Sequence, residues 1–106
     1  MRFHVVVMPK AAAELDGIIA WVASRSPQGA ARLWASFENG LRSLEVNPLS
    51  CSIAPESDLI GREVRQLFFK TRKGRTYRAL FDIRGDQVRV LRVRGPGQKL
   101  LDPDEF

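Results

Sequence analysis

Three short apolar runs, each threaded with arginine or lysine, crowd the second half of the chain. They are Val64-Arg65-Gln66-Leu67-Phe68-Phe69-Lys70, Tyr77-Arg78-Ala79-Leu80-Phe81-Asp82-Ile83 and Gln87-Val88-Arg89-Val90-Leu91-Arg92-Val93-Arg94. Their β-branched and aromatic content and near-alternating polarity predict strands. The connections Thr71-Arg72-Lys73-Gly74-Arg75 and Arg84-Gly85-Asp86 are turn material. Runs this short and this close pair as neighbours, so they predict a three-stranded antiparallel meander. Gly95-Pro96-Gly97 ends the last strand, and residues 102–106 are expected to fray.

The meander carries most of the molecule's charge. Residues 63–99 hold eleven Lys/Arg against three Asp/Glu, a net of 11 − 3 = +8, whereas residues 1–62 hold six of each sign. A concentrated field of one sign attracts a polyanion or an acidic protein.

The first half has a different period. Phe3 to Met8 is a run of β-formers and predicts a first strand. Pro9 follows at a position suited to the first turn of a helix, where its missing N–H costs nothing. Ala11, Leu15, Ile18, Ile19 and Val22 then recur at helical spacing. Ser26 is the expected N-cap of a second helix, with Pro27 at its first position. Ala30, Trp34, Phe37, Leu41 and Leu44 form its apolar stripe, and Asn47-Pro48 closes it. Two amphipathic helices with a short link form an antiparallel hairpin that lies on one face of a sheet. Residues 48–62, with two prolines and a glycine, read as a loop.

These elements predict an α+β fold: an N-terminal strand, then an α-helical hairpin packed on a sheet completed by a C-terminal three-stranded antiparallel meander. At 106 residues the expectation is one domain spanning 1–106. No stretch approaches the apolar length of a membrane span, so no membrane partner is expected. The first residues are too short for a signal peptide, and the single Cys51 has no disulfide partner, which together favour a reducing cytoplasm.

The order and spacing of four stretches resemble the RelE/ParE superfamily, the toxins of bacterial type II toxin–antitoxin modules, also labelled plasmid stabilisation proteins. The stretches are Val5-Val6-Val7-Met8-Pro9-Lys10-Ala11; Ser26-Pro27 opening a helix that closes at Leu44-Glu45-Val46-Asn47-Pro48; Val64-Arg65-Gln66-Leu67 with Tyr77-Arg78-Ala79-Leu80-Phe81; and Val88-Arg89-Val90-Leu91-Arg92-Val93-Arg94. The resemblance covers nearly the whole chain and implies the same layout as the residue pattern. It also implies a cognate antitoxin with an acidic or amphipathic segment. RelE-like members cut mRNA in the ribosomal A site. ParE-like members are not nucleases and inhibit DNA gyrase.

Fold does not choose between these branches. RNA cleavage needs a group that takes the proton of the 2′-OH, cations that hold the extra charge on phosphorus, and an acid for the leaving oxygen. Arginine suits the second task, because its guanidinium forks onto phosphate oxygens and stays charged. The resemblance places Arg78 at the family's strand arginine. Arg78, Arg65 and Arg94 are therefore the candidate catalytic residues of an mRNA endonuclease, with Arg65 and Lys70 expected to share Arg78's face. Lys70, Arg72, Lys73, Arg75, Arg92 and Lys99 are the candidate nucleic-acid-binding residues. Proton transfer is less well provided for. RelE-like nucleases often use a late Tyr or His, and nothing after Arg94 supplies one; the only His is His4 and the only Tyr is Tyr77.

The leading expectation is thus a toxin that halts translation by ribosome-dependent mRNA cleavage. The alternatives are a non-enzymatic gyrase inhibitor and a non-toxic binding module on the same scaffold. Plainer readings stand beside these. Cations at a β-turn block edge-to-edge pairing. Tyr77 shares a face with Ala79, Phe81 and Ile83, which favours core packing. Trp34 on its stripe is expected in the core, and Trp21 at a partly exposed position. Cys51 has no activating neighbour in sequence. No metal-ligand spacing, phosphate-binding glycine loop or serine triad pattern is present, and no cofactor is expected.

Overall fold

A computed structural model describes residues 2–106, apart from the side chain of Pro103. Strand β1 (His4–Val7) leads into helix α1 (Pro9–Ala23) and helix α2 (Pro27–Val46). A 3-10 turn (Pro48–Ser50), the two-residue strand β2 (Ser52–Ile53) and the short helix α3 (Glu56–Ile60) follow. Strands β3 (Arg65–Phe69), β4 (Tyr77–Arg84) and β5 (Gln87–Arg94) form the meander, and a second 3-10 turn (Pro103–Glu105) lies near the end. The sheet order is β1-β5-β4-β3-β2, with β1 parallel to β5 and every other pair antiparallel.

The helix boundaries follow the local chemistry. Pro9 and Pro27 sit in the first turns of their helices. The Ser26 hydroxyl accepts the Gly29 N–H at 3.0 Å, satisfying one of the orphan donors at the start of α2. Between β4 and β5, Gly85 takes a φ of 60°, which a side chain would strain, and so permits a two-residue turn. Gly40 serves a different purpose. A Cβ there would stand 2.7 Å from Leu67 Cδ2, so the missing side chain lets α2 approach β3 closely.

The helical hairpin covers one face of the sheet. Ala11 and Leu15 of α1 and Leu33, Phe37 and Leu44 of α2 pack on Phe69, Ala79, Phe81, Val88, Val90 and Val93. Phe37 meets Phe69 edge-on at 5.1 Å, and Phe69 stacks with Tyr77 at 5.7 Å, so Tyr77 belongs to this layer as the pattern predicts. Trp34 does not take the core position expected of it. It is 43% exposed, and Leu33 fills the place beside Ala30 and Phe37. Positions 33 and 34 stand about 100° apart at opposite edges of the apolar arc, and the roll of α2 on the sheet selects between them.

Residues 48–62 are more ordered than a loop reading expects. They form the edge strand β2 and helix α3, and they cover the second face. There Ala54, Val64, Leu80 and Leu101 make a smaller core, with Ile60 and Phe106 against it. Residues 101–106 are likewise docked here rather than frayed: Leu101 is buried, and the Asp102 and Glu105 side chains cap their turn reciprocally.

A register shift between Leu80 and Phe81 sets the phase of β5. Leu80 faces Arg92 while Phe81 faces Val90, leaving Leu91 as the extra residue. The buried positions consequently run Val88, Val90, Val93 rather than continuing through residue 92. Strict alternation would send Arg92 and Arg94 toward the helices.

Candidate functional site

Every arginine on β3, β4 and β5 lies within ion-pair distance of a carboxylate. Arg78 grips Glu56 of α3 with two hydrogen bonds, Nη1 to Oε1 at 2.9 Å and Nη2 to Oε2 at 2.6 Å. Its Nη1 also donates to Gln66 Oε1 at 3.2 Å. Glu56 is fully buried. Burial by itself would raise the Glu56 pKa. The Arg78 hydrogen bonds and charge, with backbone N–H groups of Glu56 and Leu101, outweigh burial and hold the carboxyl below its usual range.

A second cluster centres on Asp82, 4% exposed in mid-β4. Arg89 forks onto it, Nε to Oδ1 at 2.8 Å and Nη2 to Oδ2 at 2.6 Å, and Arg62 donates to Oδ2 at 2.6 Å. Arg84 stands 3.8 Å away. Burial again opposes ionisation, and the Arg89 and Arg62 hydrogen bonds and charges prevail, so Asp82 stays ionised to lower pH than an ordinary aspartate. The Arg89 pKa rises in return, chiefly through its hydrogen bond to Asp82.

The third cluster ties β5 to α1. Arg92 forks onto Glu14 at 2.9 and 2.7 Å, and its Nη1 donates to the Glu105 carbonyl at 2.6 Å. Glu14 also accepts the Val93 N–H at 2.9 Å, capping the edge of β5 beyond the end of β1. Arg94 lies 3.9 Å from the same carboxylate and donates to the Lys99 carbonyl at 2.8 Å.

The expected catalytic trio is therefore dispersed. Arg78 and Arg94 are cross-strand partners, but each is engaged with its own group. Arg65 does not share Arg78's face. Its cross-strand partner is Phe81 of the helix-facing core, three residues from Arg78 along β4. It donates instead to Glu63 at 2.9 Å and to the Cys51 carbonyl at 2.6 Å. Cys51 is a poor nucleophile in this setting: burial raises its pKa, and the nearby Arg65 charge only partly offsets that.

The remaining predicted residues behave differently. Lys70, Arg72, Lys73 and Arg75 lie on the exposed β3–β4 turn, and among the described residues none has a carboxylate within 4.0 Å. Lys99 is exposed. Beside the turn runs an apolar groove of about 1020 Å³, lined by Ile18, Trp21, Tyr77, Val93 and Pro96, with Lys73 and Arg75 on its rim. Trp21 is 59% exposed there, and the Arg25 guanidinium stacks on its ring at 3.8 Å. His4 does not line this groove; it lines a separate cleft with Glu38, Arg42 and Glu45.

Sequence reasoning missed the carboxylates that organise these clusters. Glu14 and Glu56 lie outside the basic window, Glu56 on a segment that the residue pattern reads as loop and Glu14 on a helix whose pattern specifies its apolar face but not the strand its carboxylate meets. Asp82 was visible as an acid on an apolar strand between basic ones, and that contrast was the available signal.

The site thus sits on a two-helix hairpin packed on one face of a five-stranded sheet, with paired arginines on its strands and turn cations that meet no carboxylate among the described residues. The model of the ParE toxin of type II toxin–antitoxin system, parDE, matches residues 5–99, so the chain belongs to this family. Among solved structures, a chain from "Chromosomal ParDE TA system from P. aeruginosa" superposes with a TM-score of 0.67 at 21% identity. The match covers 89% of this chain and 96% of that one, and at such identity it speaks to the fold alone. No curated protein sequence matches this one as a relative.

Proposed function

We propose that this toxin arrests growth by binding DNA gyrase without chemistry of its own, and that an antitoxin encoded beside it holds it in check in the cytoplasm. The observation that carries this reading is the commitment of Arg78 to buried Glu56. A phosphate reaching Arg78 would have to displace a carboxylate that has no water to fall back on. Leaving a buried charge unpaired costs several kcal/mol, about 3–5 by analogy with broken buried pairs. Arg92 is similarly held by Glu14. These guanidiniums serve as internal struts in this reading. Family membership favours the same branch, since ParE-like toxins inhibit gyrase. The ribosome-dependent mRNA cleavage expected from sequence gains no support from either source.

The test is induced expression with and without the adjacent antitoxin gene. Accumulation of gyrase–DNA cleavage complexes with intact mRNA is the expected result. Codon-positioned cuts in mRNA on translating ribosomes would overturn it. Arg78→Ala alone is a poor probe, because it strands Glu56. Glu56→Leu combined with Arg78→Met replaces the pair by apolar side chains of similar size, which folds tolerate well. Under the gyrase reading this double variant stays toxic; if it folds and is inert, Arg78 acts directly on the target.

A further inference from the structure

We infer that the seam between α2 and the β3–β4 turn is a docking strip for the phosphodiester backbone of a nucleic acid. This goes beyond the gyrase reading and does not depend on it. Arg32 of α2 lines one cleft with Lys70 and Arg72, and the adjoining cleft with Lys73 and Arg75. Two segments far apart in sequence thus place five cations around two adjoining clefts that share Arg32 and Thr71. All five are exposed, and among the described residues none pairs with a carboxylate. The arrangement is held from beneath: Ser36 Oγ donates to the Lys70 carbonyl at 2.9 Å and accepts the Lys70 N–H at 3.2 Å. That clamp fixes the turn on α2 and keeps Arg32 next to Lys70 and Arg72. Like charges so placed repel one another until a polyanion arrives.

The chemistry of the strip favours phosphate over an acidic protein segment. The Arg32–Arg72 cleft is also lined by Asn39 and Thr71, whose amide and hydroxyl groups suit phosphate oxygens, while the Ser36 hydroxyl stays committed to Lys70. It offers no deep aromatic or aliphatic pocket of the kind that anchors a protein partner. The apolar groove by Trp21 adjoins the second cleft and shares Lys73 and Arg75 with it, whereas the Arg32–Arg72 cleft has no residue in common with the groove. Long exposed cationic side chains grouped in this way track a backbone and read no sequence, so DNA and RNA share the recognised chemistry.

The experiment is fluorescence anisotropy of the purified full chain with a labelled DNA duplex, the matching single strand and its RNA counterpart, across a salt series. Binding to at least one of these is expected. If about four phosphates are contacted on duplex DNA, affinity falls roughly a hundredfold between 50 and 200 mM salt. The triple variant Arg72→Glu, Lys73→Glu, Arg75→Glu should lose at least tenfold and flatten the salt dependence. The control triple Arg2→Glu, Lys10→Glu, Arg84→Glu makes the same net-charge change away from the seam, Arg84 standing at the opposite end of β4, and should lose far less. Circular dichroism confirms that both variants fold; if the first does not, Arg72→Gln with Lys73→Gln replaces it. Equal losses in the two triples would overturn the inference, as would no binding to any strand. So would tighter binding of poly-glutamate than of nucleic acid at matched salt, which would assign the strip to an acidic protein.

Discussion

The strand arginines and the turn cations are the same kind of residue, drawn from the same basic stretch, and the fold uses them in opposite ways. Those on β3–β5 are each tied to a carboxylate, and the three centred on Glu56, Asp82 and Glu14 connect separate elements. Those on the turn have no counter-charge among the described residues. The difference follows from desolvation. A guanidinium beside a packed sheet face loses water and needs a fixed partner, whereas one at a turn keeps its water and can wait for a ligand. Charge density along the sequence therefore overstates the working surface of this protein. Within the basic stretch, the cations that meet no carboxylate among the described residues are those of the turn and Lys99.

The strongest way to break this comparison is Arg78→Ala. It should destabilise the protein by about 3–5 kcal/mol, because Glu56 remains buried and unpaired. Urea unfolding would show this, and a wild-type midpoint would remove the strut reading. Arg92→Ala is expected to cost less, about 1.5–3 kcal/mol, since Glu14 keeps the Val93 N–H and is partly exposed.

Acid offers a test without mutation. Glu56 and Asp82 have folded pKa values below those of the unfolded chain, which are about 4.3 and 3.9. Their stabilisation is complete above those unfolded values and disappears as pH falls through the lowered folded ones. Stability measured by denaturant should thus decline from about pH 5 downward, and Asp82→Asn should flatten that decline. A steeper decline in Asp82→Asn would contradict the assignment. The smallest effect belongs to the turn. Arg72→Ala, Lys73→Ala or Arg75→Ala should each shift stability by less than about 0.5 kcal/mol in the same urea assay. A loss comparable to Arg92→Ala would mean that the turn cations are structural after all.

Local patterns carried much of the fold. The Ser26 cap, Pro27 at the start of α2, the two-residue turn at Gly85 and the order of strands and helices each depend on neighbours a few residues apart. Where the reading went astray, the deciding neighbour lay elsewhere. Trp34 and Leu33 are separated only by where α2 rests on the sheet. Helix α3 has five residues, too few to show a period, yet it delivers Glu56. The bulge opposite Leu80 changes the phase of Arg92 and Arg94 without any marker in their own segment.

The candidate site divides along the same line. The sequence by itself determined that this chain is a helical hairpin on a basic meander, because period, caps and turns are short-range properties. It also located the exposed cations of residues 70–75, because a turn tip is solvated wherever the rest of the chain goes. Tertiary structure decided which arginines remain free. Arg92 meets a carboxylate 78 positions away and Arg78 one 22 positions away. Such pairings exist only once the helices and α3 have closed over the sheet, since Coulomb attraction reaches across space and ignores order along the chain.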